Sequence, residues 1–467
     1  LFNPGNRTGQ LGGSASTTQY RQTAVYGEFT AGYNNYLYVT LTGRQEWVSV
    51  LSPDNRSYFY PGVGATFVFS DAIHALRNNA ILSFGKVFTS YNRTGNVNGI
   101  SPYALNNTYS QTNGFPFGTL PGFSLGTNYP NFNMKPEFVT SYEAGTQLGF
   151  FNNRLNVDVT YAYSLSTDGI IQTDIPGSTG YATALVNAFE VSNNIYEVGI
   201  NGDVIRNRAM KWNLGVTLYH MDNKVTKIYG ALDALHTFRQ NYVVLGQPYN
   251  TFMFYDYRRD PNGNIIVNGA TGLPVSTTEL YNAGTGTPPW QMGLHTSFDF
   301  KGFHIGMQFD YRLGAVMYSE AANRMIQDGT SPLTTVYNRE PFVIPGSVVE
   351  TEAGKYEGNT TAVAGDRAYF TSYVAPVQSN YAVSANFFKL RELQIGYNLP
   401  AGLLARQRFI KQAGIAIIGR NLFSIWHTDN IYNDPEFVYA GGSSEGYLSW
   451  RHLPPTRMLG FSLNVGF

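Results

Sequence analysis

Seven histidines are scattered through the 467 residues, and none has the His-x-x-x-His or His-Glu-x-x-His spacing that sets two imidazoles on one helix face around zinc. No Gly-x-Ser-x-Gly elbow or Walker-type glycine loop is read, so neither acyl nor phosphoryl transfer is supported. Enzyme activity is therefore not expected. Asp260, Asn262 and Asn264 offer oxygens at alternate positions, as a calcium loop would. The glycine at position six and the distal glutamate of such a loop are missing, so an Asn-Gly turn is preferred and no metal is assigned. Four other side chains fall on the wet side of two segments joined by a tight turn: His295 before it, and His304, Asp310 and Arg312 at even spacing after it. If both segments are strands of one hairpin, all four share a wet face. They are the candidates for lining a substrate path, against the simpler reading that a polar lumen carries polar residues.

The elements that would position them are strands. Charged residues are 13 % of the chain, about half the usual share, while Gly numbers 49, Tyr 34 and Phe 31. Apolar residues at 43 % are too many for a chain that cannot bury surface, so disorder is a poor reading. Basic and acidic residues balance at 31 each, with no Lys/Arg run, which sets nucleic acid aside. The absence of cysteine removes disulfides, thiolate catalysis and Cys-based metal centres. No cofactor is implied. Leu1 follows no Met, basic region or apolar leader, so an export signal is expected to lie upstream or to have been removed.

No run of about 18 apolar residues exists, so membrane crossing would have to use strands. Leu155, Val157, Val159, Tyr161 and Tyr163 alternate with Asn156, Asp158, Thr160, Ala162 and Ser164. Trp290, Met292, Leu294, Phe298 and Phe300 likewise oppose Gln291, Gly293, His295, Ser297 and Asp299. After a tight turn at Lys301–Gly302, Phe303 to Leu313 repeats the pattern against His304, Gln308, Asp310 and Arg312. A helix would scatter these charges over both faces. A soluble sandwich would alternate too, with its apolar side inward. Three features favour the membrane instead. Trp47 and Trp212 sit at the ends of apolar faces, where interfacial girdles lie. Short turns at Asn34–Asn35, Asn152–Asn153 and Lys301–Gly302 oppose long loops near 92–137, 226–288 and 318–382. The chain ends in an alternating strand whose apolar face includes Leu463, Val465 and the terminal Phe467, which resembles a barrel-assembly signal.

The fold class is thus all-β, a transmembrane antiparallel β-barrel. Thirteen strands are predicted, near 21–32, 36–47, 60–70, 79–90, 138–150, 154–166, 193–205, 210–222, 289–300, 303–315, 386–399, 413–426 and 457–467. The patch Phe252–Tyr257 is assigned to a hairpin inside a long loop. With the C-terminus at the periplasmic face, residues 1–20 fall in an outer loop. Because bacterial single-chain barrels have even strand numbers, an odd number of strands is expected upstream. An incomplete barrel would show raw strand edges to lipid.

Several stretches in order now resemble the SusC/RagA family of TonB-dependent transporters of Bacteroidota. They are Lys135-Pro136-Glu137 with Ser141-Tyr142-Glu143-Ala144-Gly145, and Gly149-Phe150-Phe151-Asn152-Asn153-Arg154-Leu155. Phe388-Lys389-Leu390-Arg391, Gly396-Tyr397-Asn398-Leu399-Pro400, Gly419-Arg420-Asn421-Leu422-Phe423 and Pro454-Pro455-Thr456-Arg457 continue the likeness. The resemblance implies a plugged barrel of about 22 strands, with nine strands and the plug upstream of residues 1–467. It further implies import of an oligosaccharide or peptide, a SusD-like surface lipoprotein as lid, energy from TonB through the plug, and a dimer of such heterodimers. A passive porin or structural barrel is the alternative. Loop aromatics Tyr103, Tyr109, Phe115, Phe117, Phe123 and Tyr129 could stack on sugars, meet a lid or pack on one another. No basic cluster in the loops points to an acidic ligand.

Overall fold

The computed structural model describes residues 17–77, 79–111, 119–120, 122–230, 232–404, 409–438, 445–453 and 455–467. Residues 1–16, Phe115, Phe117 and Pro454 lie outside these.

Among the described residues thirteen strands form one antiparallel wall in chain order, with the short strand Asn128–Tyr129 pairing parallel to Thr183–Ala184 off its path. The thirteen are β1 (Gln22–Tyr33), β2 (Leu37–Val48), β3 (Ser57–Phe67), β4 (Leu82–Asn96), β5 (Glu137–Phe150), β6 (Leu155–Asp174) and β7 (Thr183–Arg206). There follow β8 (Met210–Ile228), β9 (Trp290–Phe300), β10 (Phe303–Leu313), β11 (Phe387–Asn398), β12 (Gln412–Trp426) and β13 (Met458–Gly466). All thirteen fall where the alternation predicts. Each successive pair is antiparallel because neighbours in sequence are neighbours in space, as short turns allow. Among the described residues β1 pairs in the wall only with β2, and β13 only with β12.

The turns have the backbone their residues favour. Asn34 and Asn35 have φ of 47° and 60°, Asn152 and Asn153 57° and 59°, and Lys301 and Gly302 47° and 91°. Asn and Gly tolerate this left-handed region, which matches the twist of the flanking strands. A Cβ on Gly302 would also lie 2.7 Å from the Asn398 carbonyl oxygen. The contrast between short and long connections is looser than predicted. At the short-turn end, 68–81 contains a helical turn and 399–411 another, while at the long-loop end β6 and β7 are joined by only 175–182.

Direction of the apolar face separates barrel from sandwich. Val25, Phe29, Leu41, Val63, Ile200, Ile395, Ile417 and Phe461 are all exposed, from 41 % to 70 %. Paired residues share a face, and the register stacks Ile395 on Ile417 and Ile417 on Phe461, making a continuous apolar outer surface. A sandwich would have buried these side chains. On the same face Thr296 accepts a hydrogen bond from the Trp212 ring nitrogen at 2.9 Å and donates to the Asn213 carbonyl at 3.1 Å, so the indole N–H and the hydroxyl are both satisfied.

The dry clusters lie among the loops. Phe252, Phe254, Tyr318, Ala322, Ile326, Tyr381 and Tyr447 form one, around the helix α1 (Glu320–Gln327). The Phe252 patch is indeed a strand of a loop sheet, with Thr251–Phe254 pairing Asn241–Tyr242 and Tyr281–Thr285. β6, β7 and β8 run to 20, 24 and 19 residues, well beyond their predicted ends. Register shifts near Asn187–Val191 mark where each leaves the alternating stretch. Beyond it, pairing continues because Ile171, Phe189, Val191, Val225 and Ile228 pack into their own core, and a search for lipid-type alternation cannot see that.

Candidate functional site

The inner face of β9 and β10 carries all four candidate residues, in three separate settings. His304 lies beside the tight turn, directly opposite Asp299, with Nδ1 2.7 Å from the carboxylate. His295 sits farther up β9, its Nε2 2.9 Å from Asn201 on β7. The intervening strand has no side chain at Gly215, where a Cβ would come within 1.8 Å of the imidazole, so the glycine is what lets His295 reach across. Asn201 continues to Asn213 at 3.1 Å, and Asn213 to Asp203 at 3.0 Å. Asp310 and Arg312 are six and eight residues beyond His304, roughly 20 Å or more along an extended strand. They do not reach His304, and Asp310, opposite Gly293 and so diagonal to His295, makes no hydrogen bond with that imidazole among the described residues.

Asp310 and Arg312 instead belong to a cluster of six charges near the long-loop end. The Arg391 guanidinium grips the Glu436 carboxylate with both terminal nitrogens at 2.5 Å and also binds Asp310, with Nε at 3.2 Å. Lys389 donates to Asp434 and, at 2.9 Å, to Glu436. Arg312 stands 3.5 Å from Asp310 and 3.7 Å from Glu436. Three cations thus meet three carboxylates. Side-chain exposure is 3 % at Lys389 and 5 % at Asp434, so neither charge is tolerable alone. The Phe387 ring, itself buried, faces Lys389 at 4.5 Å, Arg312 at 5.4 Å and Arg391 at 5.6 Å. Its negative π face adds attraction for the cations.

Two register shifts build this arrangement. Along β11 the apolar residues are Phe388 and Leu390, then Leu393, Ile395 and Tyr397, a switch from even to odd numbers. Arg391 is the extra residue against β10, so Arg391 and Glu392 both turn inward. β12 answers with its own irregularity at Asn421, which has φ of 53° and donates to the Thr456 carbonyl at 3.3 Å. The parity switch was a readable signal for a bulge. Nothing in the sequence pointed to Asp434 and Glu436, which come from the segment after β12.

That segment is folded onto the inner wall. Asn430 receives the Trp426 ring N–H on its carbonyl at 3.0 Å, and Asp434 accepts the Glu436 amide at 3.0 Å to form a tight turn. Burial alone would raise the Glu436 carboxyl, but the hydrogen bonds and charges of Arg391 and Lys389 outweigh it and hold the group down at about 2. A cavity of 220 Å³ remains beside the cluster, bounded by Lys389, Ser424, Trp426, Asp434, Glu436 and Arg457. The wall therefore presents fixed, matched charges and one aromatic-flanked hollow to whatever fills the interior.

Two readings from the sequence meet their geometry here. Asp260 accepts the Asn262 and Asn264 amides at 2.9 and 2.8 Å and the Asn264 side chain at 2.9 Å, with Gly263 at φ 87°. Burial opposes the charge, but these bonds hold the carboxyl below its usual range, as an Asx turn would. Two stretches, Gly122-Phe123-Ser124-Leu125-Gly126 and Gly442-Ser443-Ser444-Glu445-Gly446, do fit the letters Gly-x-Ser-x-Gly, contrary to expectation; Ser124 sits in the short strand Phe123–Leu125 paired with Tyr109–Gln111 and forms no elbow. Residues 442–444 lie outside the described residues, and the second stretch leads into the short strand Tyr447–Leu448 rather than a helix, so it makes no nucleophile elbow. Tyr103, Tyr109, Phe123 and Tyr129 are exposed, with Tyr129 edge-on to Tyr181 at 5.4 Å. Leu463 and Val465 lie on the outer face of β13, and Phe467 is just past its last paired residue.

Comparison with known proteins agrees with this architecture. The family described as TonB dependent receptor-like, beta-barrel matches residues 1–338. TonB-dependent receptor P3 of Formosa agariphila is 22 % identical over 476 residues, covering 95 % of this chain and 45 % of that protein. TonB-dependent receptor SusC of Bacteroides thetaiotaomicron is 24 % identical over 325 residues, covering 64 % and 32 %. A structure of the RagAB peptide transporter superposes with a TM-score of 0.75 at 19 % identity, over 98 % of this chain and 50 % of that one. The chain spans about half the length of the relatives it matches. On the family match, the exposed apolar wall and the SusC/RagA-like sequence and fold, this chain belongs to the TonB-dependent receptor-like β-barrels of the outer membrane.

Proposed function

We propose that the chain is the C-terminal wall of an active importer, carrying an oligosaccharide or peptide across the outer membrane with energy from TonB. The carrying observation is a lipid-type outer face on a sheet whose two edge strands, β1 and β13, have no second partner among the described residues. Unpaired backbone in hydrocarbon costs several kcal/mol per group, so further strands of the same protein should join those edges. On this reading about nine more strands complete a barrel of about 22, and a plug fills it.

The C-terminus then lies at the periplasmic face and the long loops outside the cell, where a SusD-like lipoprotein would act as lid. Two such heterodimers would pair. His295, His304, Asp310 and Arg312 face the lumen, and as members of hydrogen-bonded networks they would shape the path or meet the plug. Leu463, Val465 and Phe467 would form the assembly signal. Catalysis has no part in this reading.

The test is uptake of labelled oligosaccharides and peptides by cells expressing the complete gene, with and without TonB, together with the identity of any copurifying lipoprotein. Import that survives loss of TonB would overturn active transport. Steady conductance in planar bilayers would then favour a porin, whereas a plugged importer stays nearly closed.

A further inference from the structure

A second cavity, of 390 Å³, opens in the long connection between β10 and β11, away from the inner-wall charges. Its apolar floor is Ile326, at the end of α1, and Phe370. Arg339 and Arg367 line it from two segments 28 residues apart in sequence. Those segments are locked together: Phe342 and Val363 exchange backbone hydrogen bonds of 3.0 and 2.8 Å, and Phe342 meets the Tyr369 ring edge-on at 5.6 Å. A Cβ on Gly365 would lie 2.6 Å from the Glu340 carbonyl oxygen, so only glycine lets the two backbones approach this closely. The juxtaposition was invisible in the sequence, where no basic cluster stands out.

Arg339 is held at a conformational cost. It follows Asn338 in a tight turn, with φ of 53° and 61°, closed by the Glu340 N–H to Tyr337 C=O bond at 2.9 Å. Glycine is the usual residue at the second of these positions. Two other loop arginines are neutralised: Arg239 pairs with Glu320 at 3.2 Å and Arg258 with Glu350 at 2.8 Å. Among the described residues neither Arg339 nor Arg367 has an ion-pair partner, and both are exposed. Asp328 and Asp366 also line the cavity, and Asp366 is engaged in accepting the Tyr369 N–H at 3.0 Å.

We propose that this cleft binds a carboxylate-bearing ligand, its carboxylate held between the Arg339 and Arg367 guanidiniums and its apolar portion against Ile326 and Phe370. Guanidinium suits this because its planar fork matches the two oxygens of a carboxylate. Asp328 is left to accept a hydroxyl or ammonium of the same ligand. The carboxylate could be a peptide C-terminus or a uronic acid; both supply the same group. The assignment rests on the import reading for its biological setting but not for its binding chemistry.

The experiment is titration calorimetry on the complete protein, purified with any lipoprotein that accompanies it. The probes are a tripeptide with a free C-terminus, the same tripeptide amidated, a trigalacturonate and neutral maltotriose. At least one acidic probe should bind at least ten-fold more tightly than its neutral counterpart. Arg339→Asn, which keeps a residue tolerant of the turn, and Arg367→Gln should each weaken that binding ten-fold or more without changing the melting temperature. Binding of the free tripeptide alone assigns a peptide terminus, and of trigalacturonate alone a uronic acid. Equal affinity for acidic and neutral probes, no binding of either acid, or unchanged affinity in both variants would overturn the proposal. TonB-dependent uptake, scored separately, can fail while carboxylate binding holds, or hold while binding fails.

Discussion

Arg391 and Glu436 face each other as fork to fork, both guanidinium terminal nitrogens standing 2.5 Å from the carboxylate, with a strand on one side and a loop turn on the other. This contact fastens the segment after β12 to the inner wall. Its consequences can be measured.

Replacing Lys389 by Met should cost about 3 kcal/mol, because Asp434 would stay buried without its cation. Truncating Glu436 to Gln should cost less, since its carboxylate is about one-quarter exposed and Asp310 still holds Arg391. Thermal unfolding in detergent, with limited proteolysis of residues 427–438, would report both. Equal, negligible effects would mean the cluster fastens nothing.

Acid should release the same segment. The folded Glu436 carboxyl lies at about 2, below the ordinary 4.5, so its stabilisation is fully present above pH 4.5 and fades as pH falls from there toward 2. Hydrogen exchange of residues 430–438 should be slow at pH 6 and speed up beyond the intrinsic pH trend below 4.5. Glu436→Gln should abolish that extra dependence. Exchange that follows only the intrinsic trend in the native protein would contradict the assignment.

Arginine should discriminate the two faces of the wall. At Ile417, 62 % exposed on the apolar side, it should destabilise the barrel in lipid by ~2–4 kcal/mol. At Gln394, on the opposite face of the neighbouring strand, the cost should stay below about 1 kcal/mol. Folding titrations in lipid vesicles would settle it, and equal penalties would refute a lipid-facing Ile417.

Deleting Phe467 should spare stability but impair assembly. The residue is 79 % exposed and lies beyond Gly466, the last partner of β12, so unfolding in detergent should shift by no more than about 0.5 kcal/mol. The amount reaching the outer membrane should fall several-fold. Normal amounts there would remove the role assigned to the terminal aromatic.

What could be read from the chain alone was local and periodic. Phe303 to Leu313 alternates because lipid on one side and water on the other impose opposite preferences on successive side chains, and such a pattern needs no partner to be visible. Asn34–Asn35 and Lys301–Gly302 named their turns because few other residues accept φ near +50° to +90° without strain. Hence thirteen strands, their order and the wet face bearing His295, His304, Asp310 and Arg312 were all legible. Where periodicity ended, legibility ended too: β6 to β8 overran their predicted limits because loop packing, not lipid, sustains their outer halves.

The site depended on approach between distant residues, which only the tertiary structure decides. Asp434 and Glu436 are ordinary acidic residues in a polar stretch until the chain folds them onto Lys389 and Arg391, 45 residues away. Gly215 is unremarked in a strand until His295 needs its vacant space. Arg339 and Arg367 become neighbours through the Phe342–Val363 bridge and the bare backbone of Gly365. Alternation reports the solvent on each side of a strand, and that is a property of one segment. Charge pairing and cavities report which segments meet, and that is settled by the packing of the whole chain.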